Sequence, residues 1–196
     1  GRRALFESFG LGKTVQELEW CRLVQEHEQA PVVIVLPLGV RQEFARDAVE
    51  LLGMDAPVYV RTMAEVRATP AKIYMTNYER VRDGDIDPRY FAGAALDEAS
   101  VLRSYGSKTF QTFMDLFRGV KYKLVATATP SPNRYKELIH YAGYLEVMDT
   151  GQALTRFFQR DSTKANNLTL YPHKEEEFWL WVSSWALFLS SPADLG

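Results

Sequence analysis

RALFESFGLGKTV, residues 3–15, is the stretch that decides the fold, because it runs from a short apolar strand through a glycine-rich turn into a helix. A unit of this kind presents backbone N–H groups at the mouth of the helix, where an anion is stabilised. The Lys13 ammonium is placed to reach terminal phosphates, and the Thr14 hydroxyl to take a position on Mg²⁺. We therefore predict a phosphate site formed by Gly10, Leu11, Gly12, Lys13, Thr14 and Val15.

Glu7 breaks the strict form of the phosphate-loop pattern, which has glycine at that position. A chance glycine turn is the alternative interpretation of the segment. The location of Gly12-Lys13-Thr14 between a predicted strand, Arg3 to Phe6, and a predicted helix, Thr14 to Gln29, favours the phosphate loop.

The second half of an ATP site should follow a later strand, since α/β sheets bind ligands at the carboxyl ends of their strands. The stretch AALDEAS, residues 94–100, is an apolar run that ends in two carboxylates. Asp97 is the candidate for the magnesium shell, and Glu98 the candidate that acts on the attacking water. An isolated Asp-Glu pair is more often structural, so this prediction depends on the phosphate loop that precedes it.

A third element is ATATP, residues 126–130, at the end of the next predicted strand. The hydroxyls of Thr127 and Thr129 could donate hydrogen bonds to the Asp97 and Glu98 carboxylates and sense the terminal phosphate. A threonine-rich strand end is usually only a turn. Three such elements in this order, each at a strand's carboxyl end, favour a nucleotide site.

Apolar runs bounded by turn residues alternate with segments of helical period along the chain, which is typical of βαβ units around a parallel sheet. We predict an α/β, three-layer domain with a mainly parallel central sheet over residues 1–150. Residues 151–196 are predicted to form a helical extension outside the sheet. Within it, Gln152 to Gln159 should be helical, Arg160 to His173 a loop, and Phe178 to Leu189 a buried or partner-covered helix.

The composition of the 196 residues, with 46% hydrophobic and 24% charged, is that of a globular protein with a real core. Lys plus Arg total 23 against 25 Asp plus Glu, so the net charge of −2 gives no support for nucleic-acid binding. The one cysteine, Cys21, excludes an internal disulfide and suggests a reducing, cytoplasmic setting. No stretch is apolar enough to span a membrane, and the three histidines lack the spacing of metal ligands.

The three elements together resemble motifs I, II and III of superfamily 2 helicases. The stretch FGLGKTVQ, residues 9–16, is similar to the Swi/Snf-like DNA translocases in particular, where an acidic residue at the position of Glu7 is usual. Ser100 departs from the more common histidine of motif II. The tail, with FWLW at residues 178–181 and PADLG at residues 192–196, is similar to phage and bacterial members of this group.

The resemblance implies a RecA-like ATP-binding lobe that uses ATP and Mg²⁺ and moves along double-stranded DNA. LPL at residues 36–38 resembles motif Ia, and TNYE at residues 76–79 resembles another segment that contacts the nucleic-acid backbone in the family. Pro37, Thr76, Asn77 and Tyr78 are therefore the candidate nucleic-acid residues. Hydrolysis in the family needs arginines from a second lobe, so we expect that lobe in a longer bacterial or phage polypeptide, and very slow turnover by this chain alone.

Two rival functions remain open from the sequence. A small-molecule kinase of the phosphate-loop type would need an acceptor pocket and an arginine-bearing lid. A nucleic-acid-binding or assembly module with a vestigial site is the other rival, and Ser100 leaves it open. Arg41, Arg103 and Lys108 could touch phosphates, although surface cations are more often solvated, and Trp179, Trp181 and Trp185 could stack bases, although their helical spacing favours packing.

Overall fold

The computed structural model describes residues 1–128, 135–161, 163 and 168–195. In this part of the chain there are nine strands and eight α-helices. The strands β1 to β9 are Arg2–Glu7, Val32–Val35, Val58–Tyr59, Ile73–Thr76, Gly93–Leu96, Tyr122–Thr127, Phe158–Arg160, Leu168–Leu170 and Ala186–Leu189. The helices α1 to α8 are Lys13–Glu28, Arg41–Glu50, Met63–Ala68, Tyr78–Arg82, Gly106–Leu116, Tyr135–Tyr144, Thr150–Phe157 and Glu175–Trp185.

Seven strands form one central sheet in the order β3-β4-β2-β5-β6-β1-β9, and every neighbouring pair in it is parallel. The strand with the phosphate loop, β1, is separated from β5, the strand that leads to Asp97, by β6. All three strands therefore end at one edge of the sheet, which places their following loops side by side.

Helices cover both faces of the sheet, as a parallel sheet requires. On one face, α1 and α2 pack against alternate strand residues, such as Leu18 and Phe44 on Ile34. On the other face, α5, α6 and α8 contribute Phe113, Leu138 and Phe178 to a second, larger core. The predicted α/β three-layer fold with a mainly parallel sheet is confirmed.

The end of the chain differs from the predicted helical extension. Helix α8 stops at Trp185, and Ala186–Leu189 continues as β9, which pairs in parallel with β1. Ala186 and Leu189 are buried, and β9 covers the side of β1 that β6 leaves unpaired. The segment predicted as a loop, Arg160 to His173, contains most of the antiparallel pair β7–β8. The division of the chain at residue 150 stays a prediction.

The tryptophans of α8 pack within the protein. Trp185 is buried against Phe6 and Trp181, and Trp179 contacts Tyr135 and Phe178. These contacts support the packing role for the cluster over base stacking.

Candidate functional site

The loop between β1 and α1 has the backbone of a phosphate cradle. Gly10 and Gly12 lie in the left-handed region, with φ of +83° and +79°. A side chain at either position would meet no neighbouring atom, so the need for glycine comes from the backbone angle. Helix α1 then begins at Lys13 with no side-chain cap on its first turn. Its free N–H groups are therefore available to an anion.

Lys13 lies between the two carboxylates that follow β5. Its Nζ is 3.3 Å from Glu98 Oε2 and 4.0 Å from Asp97 Oδ1, although 85 residues separate Lys13 from Glu98. The lysine side chain is 15% exposed, so the ion pair is largely shielded from solvent. The structure thus brings together the three predicted catalytic residues.

Glu98 is held from several sides. Its Oε1 accepts hydrogen bonds from Ser100 Oγ at 2.7 Å and from Thr127 Oγ1 at 2.9 Å. Burial opposes the charge, but the Ser100 hydroxyl, the Lys13 charge and the Thr127 hydroxyl together hold the pKa of Glu98 below its ordinary value. Glu98 is therefore ionised at neutral pH, the form that a general base needs.

The backbone of Glu98 is unusual for a residue other than glycine, with φ of +49°. Residues in this region are costly and tend to occur at functional sites. Thr127 lies against the Glu98 carboxylate, one of the two that the sequence predicted as its partners. Thr129 and Pro130 fall outside the described residues.

Asp97 is nearly buried at the end of β5, and its N–H donates to Val35 O at 2.8 Å. Burial raises the pKa of Asp97. Beneath it lies Glu17, whose carboxyl group on α1 is fully buried. Burial raises the pKa of Glu17 well above its usual range, and the negative charge of Asp97 raises it further. Sequence reasoning missed Glu17. Its signal was its position one turn before Cys21, on the core-facing stripe of α1.

Lys13, Asp97 and Glu98 line a cleft of about 320 Å³ between the phosphate loop and α2. Thr14 Oγ1 reaches Glu43 Oε1 across it at 3.3 Å. The Thr14 hydroxyl and the Asp97 carboxylate supply the oxygen donors that Mg²⁺ prefers, and both line this cleft. Within the described ranges no group of three His, Cys, Asp or Glu side chains is arranged to hold a metal alone. The donor set therefore fits a magnesium ion that shares its shell with phosphate oxygens.

The predicted nucleic-acid residues lie at the carboxyl ends of β2 and β4. Pro37 is half-buried, whereas the side chains of Thr76, Asn77 and Tyr78 are buried. The Tyr78 hydroxyl donates to the backbone carbonyl of Asp97, which links this segment to the nucleotide cleft.

Arg41 is a half-buried cation at the same end of the sheet. Its guanidinium lies 4.7 Å from the centre of the Tyr59 ring, and the Tyr59 hydroxyl donates to Asn77 Oδ1 at 2.8 Å. Among the residues that the structure describes, Arg41 has no acidic partner. The buried Asn77 therefore supports Arg41 through Tyr59.

No protein-family model matches the sequence. Among solved structures, the SWI2/SNF2 ATPase core of Sulfolobus solfataricus in complex with dsDNA is similar, with a TM-score of 0.70 and 16% identity over 99% of this chain and 41% of that one. The SWI2/SNF2 ATPase core domain from the same organism gives a TM-score of 0.70 and 18% identity, over 95% of this chain and 38% of that one. The UvsW helicase of bacteriophage T4 gives a TM-score of 0.57 and 12% identity, over 74% of this chain and 51% of that one.

The chain thus spans between two fifths and about half of the length of these structures. In the part of the chain that the structure describes, no helix is both long and apolar enough to cross a membrane. At these identities the likeness concerns the fold, and by fold this chain is similar to the RecA-like lobe of SWI2/SNF2 ATPase and helicase cores.

Proposed function

We propose that this chain is the ATP-binding lobe of a superfamily 2, Swi/Snf-like ATPase that couples ATP hydrolysis to movement on double-stranded DNA. The observation that supports it most is the contact of Lys13 with Glu98 and Asp97, with Thr127 bonded to the same glutamate. Residues from the three predicted motifs meet there, and those of the first two line the cleft.

The chemistry follows from the groups that face the cleft. The loop from Gly10 to Val15 binds phosphate oxygens through its N–H groups, and Lys13 exchanges its contact with Glu98 for the terminal phosphate. Glu98, released from the ammonium but still bonded to Ser100 and Thr127, orients the attacking water and accepts its proton. A bound Mg²⁺ neutralises phosphate charge, and Thr14 and Asp97 are the residues that would hold it.

Thr127 gives the site a link to the rest of the sheet. It is the last residue of β6, the strand between β1 and β5, and it touches the glutamate that faces the terminal phosphate. Binding of the terminal phosphate would take Lys13 away from Glu98, which would leave Ser100 and Thr127 as the partners of that carboxylate. This contact is the candidate path from nucleotide state to the motion of the lobe.

Double-stranded DNA as the partner is supported by two observations. One of the similar structures is described as a complex with dsDNA. In this chain, the guanidinium of Arg41, which has no acidic partner among the described residues, is held over the Tyr59 ring where the predicted nucleic-acid segments end. The net charge of −2 makes a broad electrostatic attraction to DNA weak, so binding should depend on a few placed contacts.

ATP hydrolysis with and without double-stranded DNA tests the proposal. A longer polypeptide that includes the second lobe should hydrolyse ATP faster when DNA is added, whereas residues 1–196 should bind ATP and turn it over very slowly. Transfer of phosphate to a small-molecule acceptor in place of water would indicate the kinase alternative. Nucleotide-independent DNA binding without any hydrolysis by the longer polypeptide would indicate the vestigial module.

A further inference from the structure

Glu7, the residue that breaks the strict phosphate-loop pattern, is fully buried at the carboxyl end of β1. β1 lies between β6 and β9 in the sheet, and the Glu7 side chain is shielded from solvent. A buried carboxyl group is costly unless it is bonded, and the position would be cheaper to fill with an apolar side chain.

Gln16, in the first turns of α1, supplies the bond. Its Nε2 donates to Glu7 Oε2 at 2.9 Å and also to the backbone carbonyl of Leu11 at 3.2 Å. The Gln16 side-chain amide therefore links three parts of the site: the end of β1 at Glu7, the phosphate loop at Leu11, and helix α1.

The loop needs such a tie. Gly10 and Gly12 have positive φ and lack side chains that could fix their conformation, and no side chain caps the start of α1. The carbonyl of Leu11 lies between these two glycines in sequence, so a bond to it restricts the part of the loop that must keep its N–H groups convergent. Pre-organised donors bind an anion more tightly than donors that must first be ordered.

We propose that Glu7 and Gln16 are positioning residues that act as one unit, with Gln16 holding the Leu11 carbonyl and Glu7 fixing the Gln16 amide, so that the phosphate loop keeps its binding shape before nucleotide arrives. The inference rests on the proposed function, since it assigns the loop to nucleotide phosphates. It also explains why glutamate replaces glycine here: a glycine at residue 7 would leave the Gln16 amide without its strongest acceptor.

The other carboxylate oxygen of Glu7 supports a positioning role over simple stability. Glu7 Oε1 is buried and finds no hydrogen-bond donor among the described residues. A buried oxygen without a hydrogen bond lowers the stability of the fold, so a contribution to stability alone does not explain a glutamate at residue 7.

The test uses Gln16→Ala, with Gln25→Ala as the matched control. Gln25 lies on the same helix, is half-buried, and faces away from the nucleotide cleft. Gln16→Ala should weaken ATP binding about ten-fold, since hydrogen bonds to charged groups are worth a factor of this order. It should also speed amide hydrogen exchange across residues 8–15 in the nucleotide-free protein, and Gln25→Ala should change neither measurement.

Two variants of Glu7 separate the hydrogen bond from the charge. Glu7→Gln keeps an acceptor oxygen for Gln16 and should stay within about two-fold of the parent in ATP affinity, whereas Glu7→Ala should resemble Gln16→Ala. The double variant Glu7→Ala/Gln16→Ala should be no worse than either single variant, since residues that act as one unit are not additive. Because Glu7→Ala could fail to fold, Gln16→Ala and Glu7→Gln test the unit without it.

Parent-like exchange and affinity in Gln16→Ala would overturn the proposal, as would additive losses in the double variant. If the parent protein bound no nucleotide, the proposed function would fail. Hydrogen exchange of the loop in the nucleotide-free protein would still decide whether Gln16 holds it, so the two failures are distinguishable.

Discussion

The carboxyl ends of the parallel strands lie along one side of the sheet, where β1, β5 and β6 form one part and β2 and β4 form the neighbouring part. At the first, which we call the nucleotide edge, Glu98 contacts both Lys13 and the buried Thr127, and Lys13 and Glu98 line a cleft. At the second, the outer edge, the predicted residues Thr76, Asn77 and Tyr78 are buried, and Arg41 is a half-buried cation over the Tyr59 ring. At the nucleotide edge the predicted residues themselves line the cleft. At the outer edge the predicted residue Asn77 instead supports Arg41 through Tyr59.

The difference matches the role that we propose for each edge. Nucleotide chemistry requires opposite charges held a few ångströms apart and shielded from water, which buried strand ends provide. Contact with a long polyanion requires exposed donors. At the outer edge, Tyr78 packs on Phe113 of α5 with ring centres 5.6 Å apart, and this packing withdraws the segment from the surface.

The largest expected effect comes from Lys13→Ala at the nucleotide edge. The variant leaves Asp97 and Glu98 facing the incoming phosphates without a cation, so saturable ATP binding should disappear in a calorimetric titration, a loss of about 100-fold or more. Lys72→Ala is a suitable control, because Lys72 is exposed and lies before β4, at the opposite end of the strands. If Lys13→Ala bound ATP like the parent, the loop would not be the phosphate site.

Glu98→Gln should separate binding from hydrolysis. In the longer polypeptide with its second lobe, the variant keeps the Ser100 and Thr127 contacts on an amide oxygen but cannot accept the proton of the attacking water. We expect ATP affinity to be retained and turnover to fall by about 10²- to 10⁴-fold, measured as phosphate release. Glu50→Gln, at an exposed position at the end of α2, serves as control. Undiminished turnover would remove Glu98 from this role.

The nucleotide edge is also where the sequence is most informative. The rule that ligands bind at strand ends, applied to a lysine, two carboxylates and a threonine, is enough to predict that they meet, although 85 residues separate Lys13 from Glu98. The rule needs only the order of the strands and the residue that ends each one. The three-layer fold follows from the same alternation of strands and helices.

The features that could not be predicted from the sequence are those that depend on the packing of distant segments. The apolar run Ala186–Leu189 looked like the end of a helix, because its strand identity comes from the open side of β1 and not from its own pattern. The Glu7–Gln16 bond and the burial of Glu17 depend on side-chain directions that only the folded structure fixes. Similarly, the burial of Tyr78 depends on its packing against Phe113 of α5, which is distant in sequence.

Glu17→Gln tests whether the buried carboxyl group beneath the nucleotide edge changes its protonation when the protein folds. Because the pKa of Glu17 in the folded protein lies above its ordinary 4.5, the folded state holds the proton more tightly than the unfolded chain. The contribution of Glu17 to stability is therefore full below about pH 4.5 and is lost as the pH rises through the folded pKa.

Glutamine stays neutral at every pH, so Glu17→Gln should unfold at higher urea than the parent at pH 8, and the difference should shrink towards pH 4. Urea unfolding of metal-free, nucleotide-free protein at both pH values measures this, with Glu50→Gln as the exposed control. A difference of the same size at pH 4 and pH 8 would show that Glu17 does not change its protonation on folding.

Arg41→Ala should give the smallest effect and tests the outer edge directly. If Arg41 contacts one phosphate of double-stranded DNA, its loss should weaken binding by the longer polypeptide by about five-fold and lower the slope of log affinity against log salt by about 0.9. Arg46→Ala on the same helix is the matched control, because Arg46 is exposed but already paired with Asp47 at 2.9 Å.

Tyr59→Phe keeps the ring under the guanidinium but loses the hydroxyl bond to Asn77, so it should give part of the Arg41→Ala effect without the change in salt slope. An unchanged slope in Arg41→Ala would place the DNA elsewhere, and the outer edge would then be a packing element that only resembles a binding segment.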